Sequence, residues 1–332
     1  MSLDNEYQSY TTPQLFEIAV NCHQKGDLQQ AEKLYMHLLQ GNPEHPHALN
    51  LLGVLASQTD RNDLAESLLR KAITIKSDTP EYYNNLALVL VRLGQTDEAE
   101  ECFIKALDLN KDYCDAYYNY GNHLLKTGQP VRAIENYQKA LLLKPEYANA
   151  HNNLGQALYS LRKYDKAENA YKRALMYQPD AADSYSNLGQ LYQGLGRFGD
   201  AISMYEEAIK ISPEYAAAYA NLALARKCVS SEDNLIVSIN SLLEQKRCNT
   251  EDTIKLLFAL GKLYDDCGQY DHAFSYFKKA NALKARFMNF NPARLQQEID
   301  NIIQVFSNEF IKTHQQYGNP SSMHSFGGDV KR

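Results

Sequence analysis

The amino-acid sequence predicts an all-α protein built as a right-handed superhelix, an α-solenoid of stacked helical pairs. Three observations predict it: one pattern recurs every 34 residues, small and large apolar residues alternate at fixed positions within it, and Gly or Pro marks where helices must end or begin. Internal repetition on this scale is the signature of quasi-one-dimensional architectures, in which each unit buries its apolar face against its neighbours.

The recurrence is set by asparagine. Asn85, Asn119, Asn153, Asn187 and Asn221 stand 34 residues apart. In that register repeats begin at Thr12, Pro46, Pro80, Cys114, Ala148, Ala182 and Ala216, and an eighth at Ile254. The eighth position of each repeat is small: Ala19, Gly53, Ala87, Gly121, Gly155, Gly189, Ala223 and Gly261. The twentieth is mostly Ala (Ala31, Ala65, Ala99, Ala133, Ala167, Ala201, Ala273), as is the twenty-seventh (Ala72, Ala106, Ala140, Ala174, Ala208, Ala280). The twenty-fourth is large: Tyr35, Leu69, Phe103, Tyr137, Tyr171, Tyr205, Phe277. Small residues let two antiparallel helices approach, and the large residue fills the gap beside them. Gly26, Gly94, Gly128, Gly196 and Gly268 fall mid-repeat, where the first helix must stop. Pro43, Pro145, Pro179 and Pro213 close repeats, because Pro cannot continue a helix.

These features resemble the tetratricopeptide repeat. The seventh repeat departs from the pattern after Lys227, and Ser230-Ser231-Glu232-Asp233 reads as a cap opening a substitute helix with Leu235, Ile239, Leu242 and Leu243 on one face. After the eighth repeat, Asn291-Pro292 opens another helix with Leu295, Ile299, Ile302, Ile303, Phe306 and Phe310 in helical spacing. The chain therefore divides into a tail over 1–11, a repeat array over 12–227, a degenerate helix and final repeat over 228–290, a linker or capping helix over 291–316, and a tail over 317–332 whose Gly, Pro, Ser and His content predicts disorder.

In the tetratricopeptide fold the first helix of each pair lines the concave face. Positions two, six, nine and thirteen of that helix form one stripe by their spacing. The ladder Asn occupy position six, with Glu81, Asp115, Asn149 and Asp183 at position two, and Asn122, Gln156 and Gln190 at position nine. A side-chain amide carries two donors and an acceptor, so five at regular spacing suit the C=O and N–H groups of an extended peptide. The alternative is that each Asn bonds the adjacent repeat. The expected partner is a protein or peptide in the groove, and self-association is left open.

Other functions find little support. A net charge of −6 speaks against nucleic acid, whose affinity comes largely from a basic face. The longest apolar run, Leu86 to Val91, is too short to span a bilayer. Cys22, Cys102, Cys114, Cys228, Cys248 and Cys267 are scattered without a Cys-x-x-Cys pair, as reduced cytoplasmic thiols are. His37, His45 and His47 form the closest metal-type cluster, without a nearby Cys, and read as loop histidines. No phosphate-binding or dinucleotide motif and no nucleophile elbow occurs, so no catalytic, cofactor or metal site is expected.

Two finer resemblances bear on function. The NNLGQAL and SNLGQLY runs resemble the superhelix of O-linked N-acetylglucosamine transferases, whose inner Asn ladder holds substrate polypeptide. That likeness spans about residues 80–227 and implies a peptide-holding role for Asn85, Asn119, Asn153, Asn187 and Asn221. Residues 251–322, from LLFALGKLYDDCGQYDHAFSYFKKANALKARF through NPARLQQEIDNIIQVFSNEFI to GNPSS, look like the junction of bacterial tetratricopeptide-repeat sulfotransferases. There a phosphate-binding turn follows, whereas here the chain reads MHSFGGDVKR. The resemblance implies a substrate-recruiting region, with the expectation that this chain alone neither binds nor uses a phosphosulfate donor.

Overall fold

The structure, a computed structural model, describes residues 10–245, 248–288, 296, 297 and 300. The chain divides into two compact units, Met1–Arg226 and Lys227–Arg332. Among the described residues there are helices and no strands.

The first unit holds six complete pairs: α1 (Thr12–Gln24) and α2 (Leu28–Gly41), α3 (Pro46–Gln58) and α4 (Asn62–Ile75), α5 (Pro80–Leu93) and α6 (Thr96–Leu109), α7 (Cys114–Lys126) and α8 (Pro130–Leu143), α9 (Ala148–Ser160) and α10 (Tyr164–Tyr177), α11 (Ala182–Gly194) and α12 (Phe198–Ile211). A single shorter helix, α13 (Ala216–Ala225), follows. Every helix start expected from the repeat, from Thr12 to Ala216, coincides with a helix start. Between the helices of a pair the chain turns through a left-handed residue. Gly supplies it at Gly26, Gly94, Gly128 and Gly196, while Asp60 and Arg162 adopt it at φ 59° and 57°.

The small-against-large packing is direct. A Cβ added to Gly121, Gly155 or Gly189 would stand 2.6 Å from the ring of Tyr137, Tyr171 or Tyr205. At these three positions the close approach of the ring leaves room for glycine alone. Position eight is Ala where the ring is Tyr35 or Phe103, and all four of these side chains are fully buried. Ala65, Ala99, Ala133, Ala167 and Ala201 are likewise fully buried. One apolar cluster runs from Ala56 and Leu69 through Leu86, Phe103 and Leu124 to Tyr137 and Ala157, so over these residues the core passes from pair to pair.

The second unit is less regular. α14 (Asn234–Glu244) is capped by Asp233, whose Oδ1 accepts from the Leu235 N–H at 2.8 Å, and it buries Leu235, Ile236, Ile239 and Leu242. α15 (Thr250–Asp266) and α16 (Tyr270–Phe287) pair as in the array, with Gly261 facing Phe277 and Gly268 in the turn. The eighth repeat was expected to start at Ile254. Its helix begins at Thr250 instead, because Asn249 caps it by accepting from the Asp252 N–H at 2.8 Å. The helix expected over 291–316 and the tail over 317–332 lie outside the described residues, apart from 296, 297 and 300; so does the N-terminal tail before Tyr10.

Candidate functional site

The candidate residues stand on the first helices of the array, α5, α7, α9, α11 and α13. Glu81, Asp115, Asn149 and Asp183 are exposed, as are Gln156 and Gln190. Asn122 and the ladder residues Asn85, Asn119, Asn153, Asn187 and Asn221 are half-buried. The half-burial has a cause. Each ladder amide reaches back 35 residues to position five of the preceding repeat. Asn85 Nδ2 donates to Asn50 Oδ1 at 3.0 Å, Asn119 Nδ2 to Asn84 Oδ1 at 3.1 Å, and Asn187 Nδ2 to Asn152 Oδ1 at 3.0 Å. Asn221 Nδ2 donates to Ser186 Oγ at 3.3 Å. The acceptors Asn50, Asn84, Asn152 and Ser186 are buried.

This second column was not singled out in the sequence. Its signal was the doublets Asn84-Asn85 and Asn152-Asn153, where two adjacent amides recur two repeats apart. A buried amide oxygen needs a donor, and the ladder Asn of the next repeat is that donor. Positions three and ten are buried too, as at Tyr82, Ala116, Ala150, Val89, His123 and Ala157.

The ladder is not uniform. Asn85, Asn119, Asn187 and Asn221 each spend one N–H on the preceding repeat, leaving a second N–H and the carbonyl oxygen. Asn153 is engaged at both ends. Its Nδ2 lies 2.7 Å from Asn122 Oδ1 and 3.3 Å from the Tyr118 hydroxyl, and its Oδ1 accepts from Asn152 Nδ2 at 3.2 Å. Position five of that neighbouring repeat is Tyr118 rather than Asn, so Asn122 takes over as acceptor. Asn122 Oδ1 also accepts from the Tyr137 hydroxyl at 2.8 Å, which fixes the amide. Tyr205 does the same to Gln193 Oε1 at 2.8 Å. Burial pushes both phenols well above the usual tyrosine range, so they stay protonated donors.

At the end of the stripe, Tyr159, Gln190, Gln193, Gly194, Phe198 and Asn221 line an open concavity of about 470 Å3. A larger one, about 870 Å3, is lined from α8, α9 and α10, with Leu141, Leu142, Leu154 and Met176 together with Lys163, Lys166 and Arg173. The histidine cluster near α3 is occupied by local structure. His45 Nδ1 caps α3 by accepting from the Ala48 N–H at 3.1 Å, and His47 Nδ1 meets the Tyr82 hydroxyl at 2.7 Å. Among the described residues no group of three His, Cys, Asp or Glu could hold a metal ion, and no helix is long and apolar enough to cross a membrane.

Models of the tetratricopeptide repeat match residues 23–89, 78–141, 112–175, 152–216, 186–226 and 254–287. No curated protein matches the chain. Among solved structures, a tetratricopeptide repeat protein from Parabacteroides merdae ATCC 43184 is 17% identical at a TM-score of 0.56, covering 81% of this chain and 98% of that one. PilF of Pseudomonas aeruginosa is 20% identical at a TM-score of 0.56, covering 62% and 94%. A chain of the Cut9-Hcn1 hetero-tetramer of the APC/C is 21% identical at a TM-score of 0.60; the match covers 67% of this chain but only 44% of that one. At these identities the likeness is one of fold.

Proposed function

This chain belongs to the tetratricopeptide-repeat family, and from that premise we propose that it is a protein-binding scaffold whose amide stripe holds an extended peptide by its backbone. The observation that carries the reading is the half-spent ladder. One N–H of each open rung is tied to a buried acceptor, which fixes the amide plane before any ligand arrives. The remaining N–H and C=O then face the groove at no further entropic cost for orientation. Asn85, Asn119, Asn187 and Asn221 are the open rungs, with Asn122, Gln156 and Gln190 beside them and Asp115 and Asn149 at the edge. Asn153 joins only if a ligand displaces its bond from Asn152.

Each new amide bond contributes about 0.5–1.5 kcal/mol net, so four give a few kcal/mol, and side-chain contacts must supply the rest of a micromolar affinity near −8 kcal/mol. The test uses the best-bound member of an array of extended peptides, titrated into the full chain. Replacing Asn119, Asn187 and Asn221 together by Ala is expected to weaken binding by about 2–4 kcal/mol. Asn153→Ala is expected to lower the melting temperature and leave affinity within a factor of about three, since its amide is already satisfied. If the triple variant melts lower yet binds as wild type does, the ladder is a structural device alone.

A second setting for the same scaffold comes from the likeness of residues 251–322 to sulfotransferase junctions: the groove would recruit substrate for a catalytic domain. Calorimetric titration of this chain with the phosphosulfate donor is expected to show no binding, and the downstream coding sequence decides between the settings.

A further inference from the structure

Two of the six cysteines lie side by side in the second unit. Cys267 Sγ is 3.2 Å from Cys228 Sγ, although 39 residues separate them in the sequence. Cys228 belongs to the segment without helical structure that precedes α14, and Cys267 is the residue that ends α15. The backbone holds the contact. Asp266, the neighbour of Cys267, accepts the Cys228 N–H at 2.8 Å and also pairs with Lys262 at 2.6 Å. A carboxylate thus anchors the chain at one cysteine to the helix end that carries the other. A disulfide needs its sulfurs only about 1.1 Å closer than this.

We infer that Cys228 and Cys267 are a thiol–disulfide site, in which a low-molecular-weight disulfide oxidises the pair and staples the segment before α14 to the end of α15. Cys228 is fully buried and Cys267 is half-buried, which sets the order of events. The Cys267 thiolate attacks one sulfur of the small disulfide, forming a mixed disulfide and releasing one small thiolate. Cys228 then loses its proton and attacks Cys267 Sγ, expelling the second small thiolate. Two electrons and two protons leave the protein, and one small disulfide becomes two small thiols. The resolving sulfur is already in contact, so the second step needs no rearrangement of helices.

The surroundings make this a slow site. Burial, the contact with Cys228, and the carboxylates of Asp266 and Asp233 push the Cys267 thiol up to about 11. The thiolate is therefore scarce near neutral pH, and the oxidation rate should climb about tenfold per pH unit below that value. The same surroundings leave the reduced pair without a stabilised thiolate, so the disulfide, once made, should resist mild reductant.

The experiment incubates the full chain with glutathione disulfide at pH 7, 8 and 9, then unfolds it and maps peptides without reduction. The expected result is a monomeric chain whose peptides containing Cys228 and Cys267 are joined, with Cys22, Cys102, Cys114 and Cys248 still open to maleimide. The joined peptides vanish in Cys267→Ser, and dithiothreitol restores both thiols. Tryptic cleavage after Lys227 should be slower in the oxidised chain than in the reduced one, and equal in both treatments of Cys267→Ser. Both thiols staying free at every pH would overturn the inference, as would a link from either cysteine to a different partner. Cleavage after Lys227 that ignores oxidation would remove the stapling role.

Discussion

The two units are built from the same helical pair, yet they hold together differently. In the first, paired helices of 13 or 14 residues repeat, and the kinds of contact recur from pair to pair: a small residue under a large one, buried Ala, amide to amide. Among the described residues of the second, helices of 11, 17 and 18 residues replace them. Single contacts do the fastening there, such as the Asp233 cap and the Asp266 anchor on Cys228. A repeated contact tolerates a change of residue type from copy to copy, as where Leu69 or Phe103 stands in place of the tyrosine ring. An unrepeated contact has no substitute. The difference teaches that columns carry stability in the array, whereas identity at single positions carries it in the second unit.

The largest effect should come from breaking the ring under the glycine. Tyr171 is 2% exposed and its ring touches the space over Gly155. Tyr171→Ala leaves a cavity between two helices and is expected to cost about 3–5 kcal/mol. The matching Phe277→Ala, at a half-buried ring, is expected to cost about half as much. Urea titration followed by far-UV circular dichroism measures both. Because coupling in solenoids runs between neighbours, each variant should shift a different part of the curve. A single transition moved equally by both would break the comparison.

Next comes a polar residue inside the array. His123 stands at position ten, where the second unit has Leu263, and neither ring nitrogen has a hydrogen-bond partner. It is 4% exposed and lies against Phe103, with ring centroids 5.8 Å apart. Burial holds it below the usual histidine value of 6.5, as it does His151, where the Pro145 carbonyl opposes the effect. The sign follows. Above pH 6.5 both folded and unfolded states are neutral and nothing changes. As pH falls through 6.5 the unfolded chain takes up protons first, so stability drops until the lowered folded value is reached. His123→Leu is expected to raise stability at pH 7 by about 1–3 kcal/mol, by removing an unsatisfied buried group. It should also flatten the loss of melting temperature between pH 7 and 5; an unchanged pH profile would show that His123 reaches water.

How much of this was legible depended on repetition. Helix starts from Thr12 to Ala216 could be read because seven copies set one register. The start at Thr250 could not, because the register aligns Gly261 and says nothing of four extra residues capped by Asn249. The ladder was legible as a column, but its bonds were not. Whether Asn187 faces water or Asn152 depends on the stagger between neighbouring helices, which no single helix encodes. The Cys228–Cys267 contact was the least legible, since it follows the path of an irregular segment.

The smallest effect should come from the ion pairs between pairs. Arg132 on α8 reaches back to Glu100 on α6 at 2.7 Å, and Glu100 also accepts from the Tyr120 hydroxyl at 2.9 Å. Arg61–Glu32 and Arg197–Glu168 bridge other neighbours in the same way. Burial would raise the Glu100 carboxyl, but its bonds to Arg132 and Tyr120 outweigh that and hold it below its usual value. The Arg132 side chain is nevertheless 44% exposed, so solvent screens most of the attraction. Arg132→Gln is expected to cost about 0.2–1 kcal/mol at low salt, and the difference from wild type should disappear near 1 M salt, where screening acts within about 3 Å. The pair in the second unit behaves otherwise. Lys262 is 25% exposed and its partner Asp266 also holds the Cys228 N–H, so Asp266→Asn weakens a charged bond to buried backbone. That variant should lose stability which high salt does not cancel. Equal salt dependence of the two variants would mean that both pairs are surface decoration, and that the second unit has no fastening of its own at Asp266.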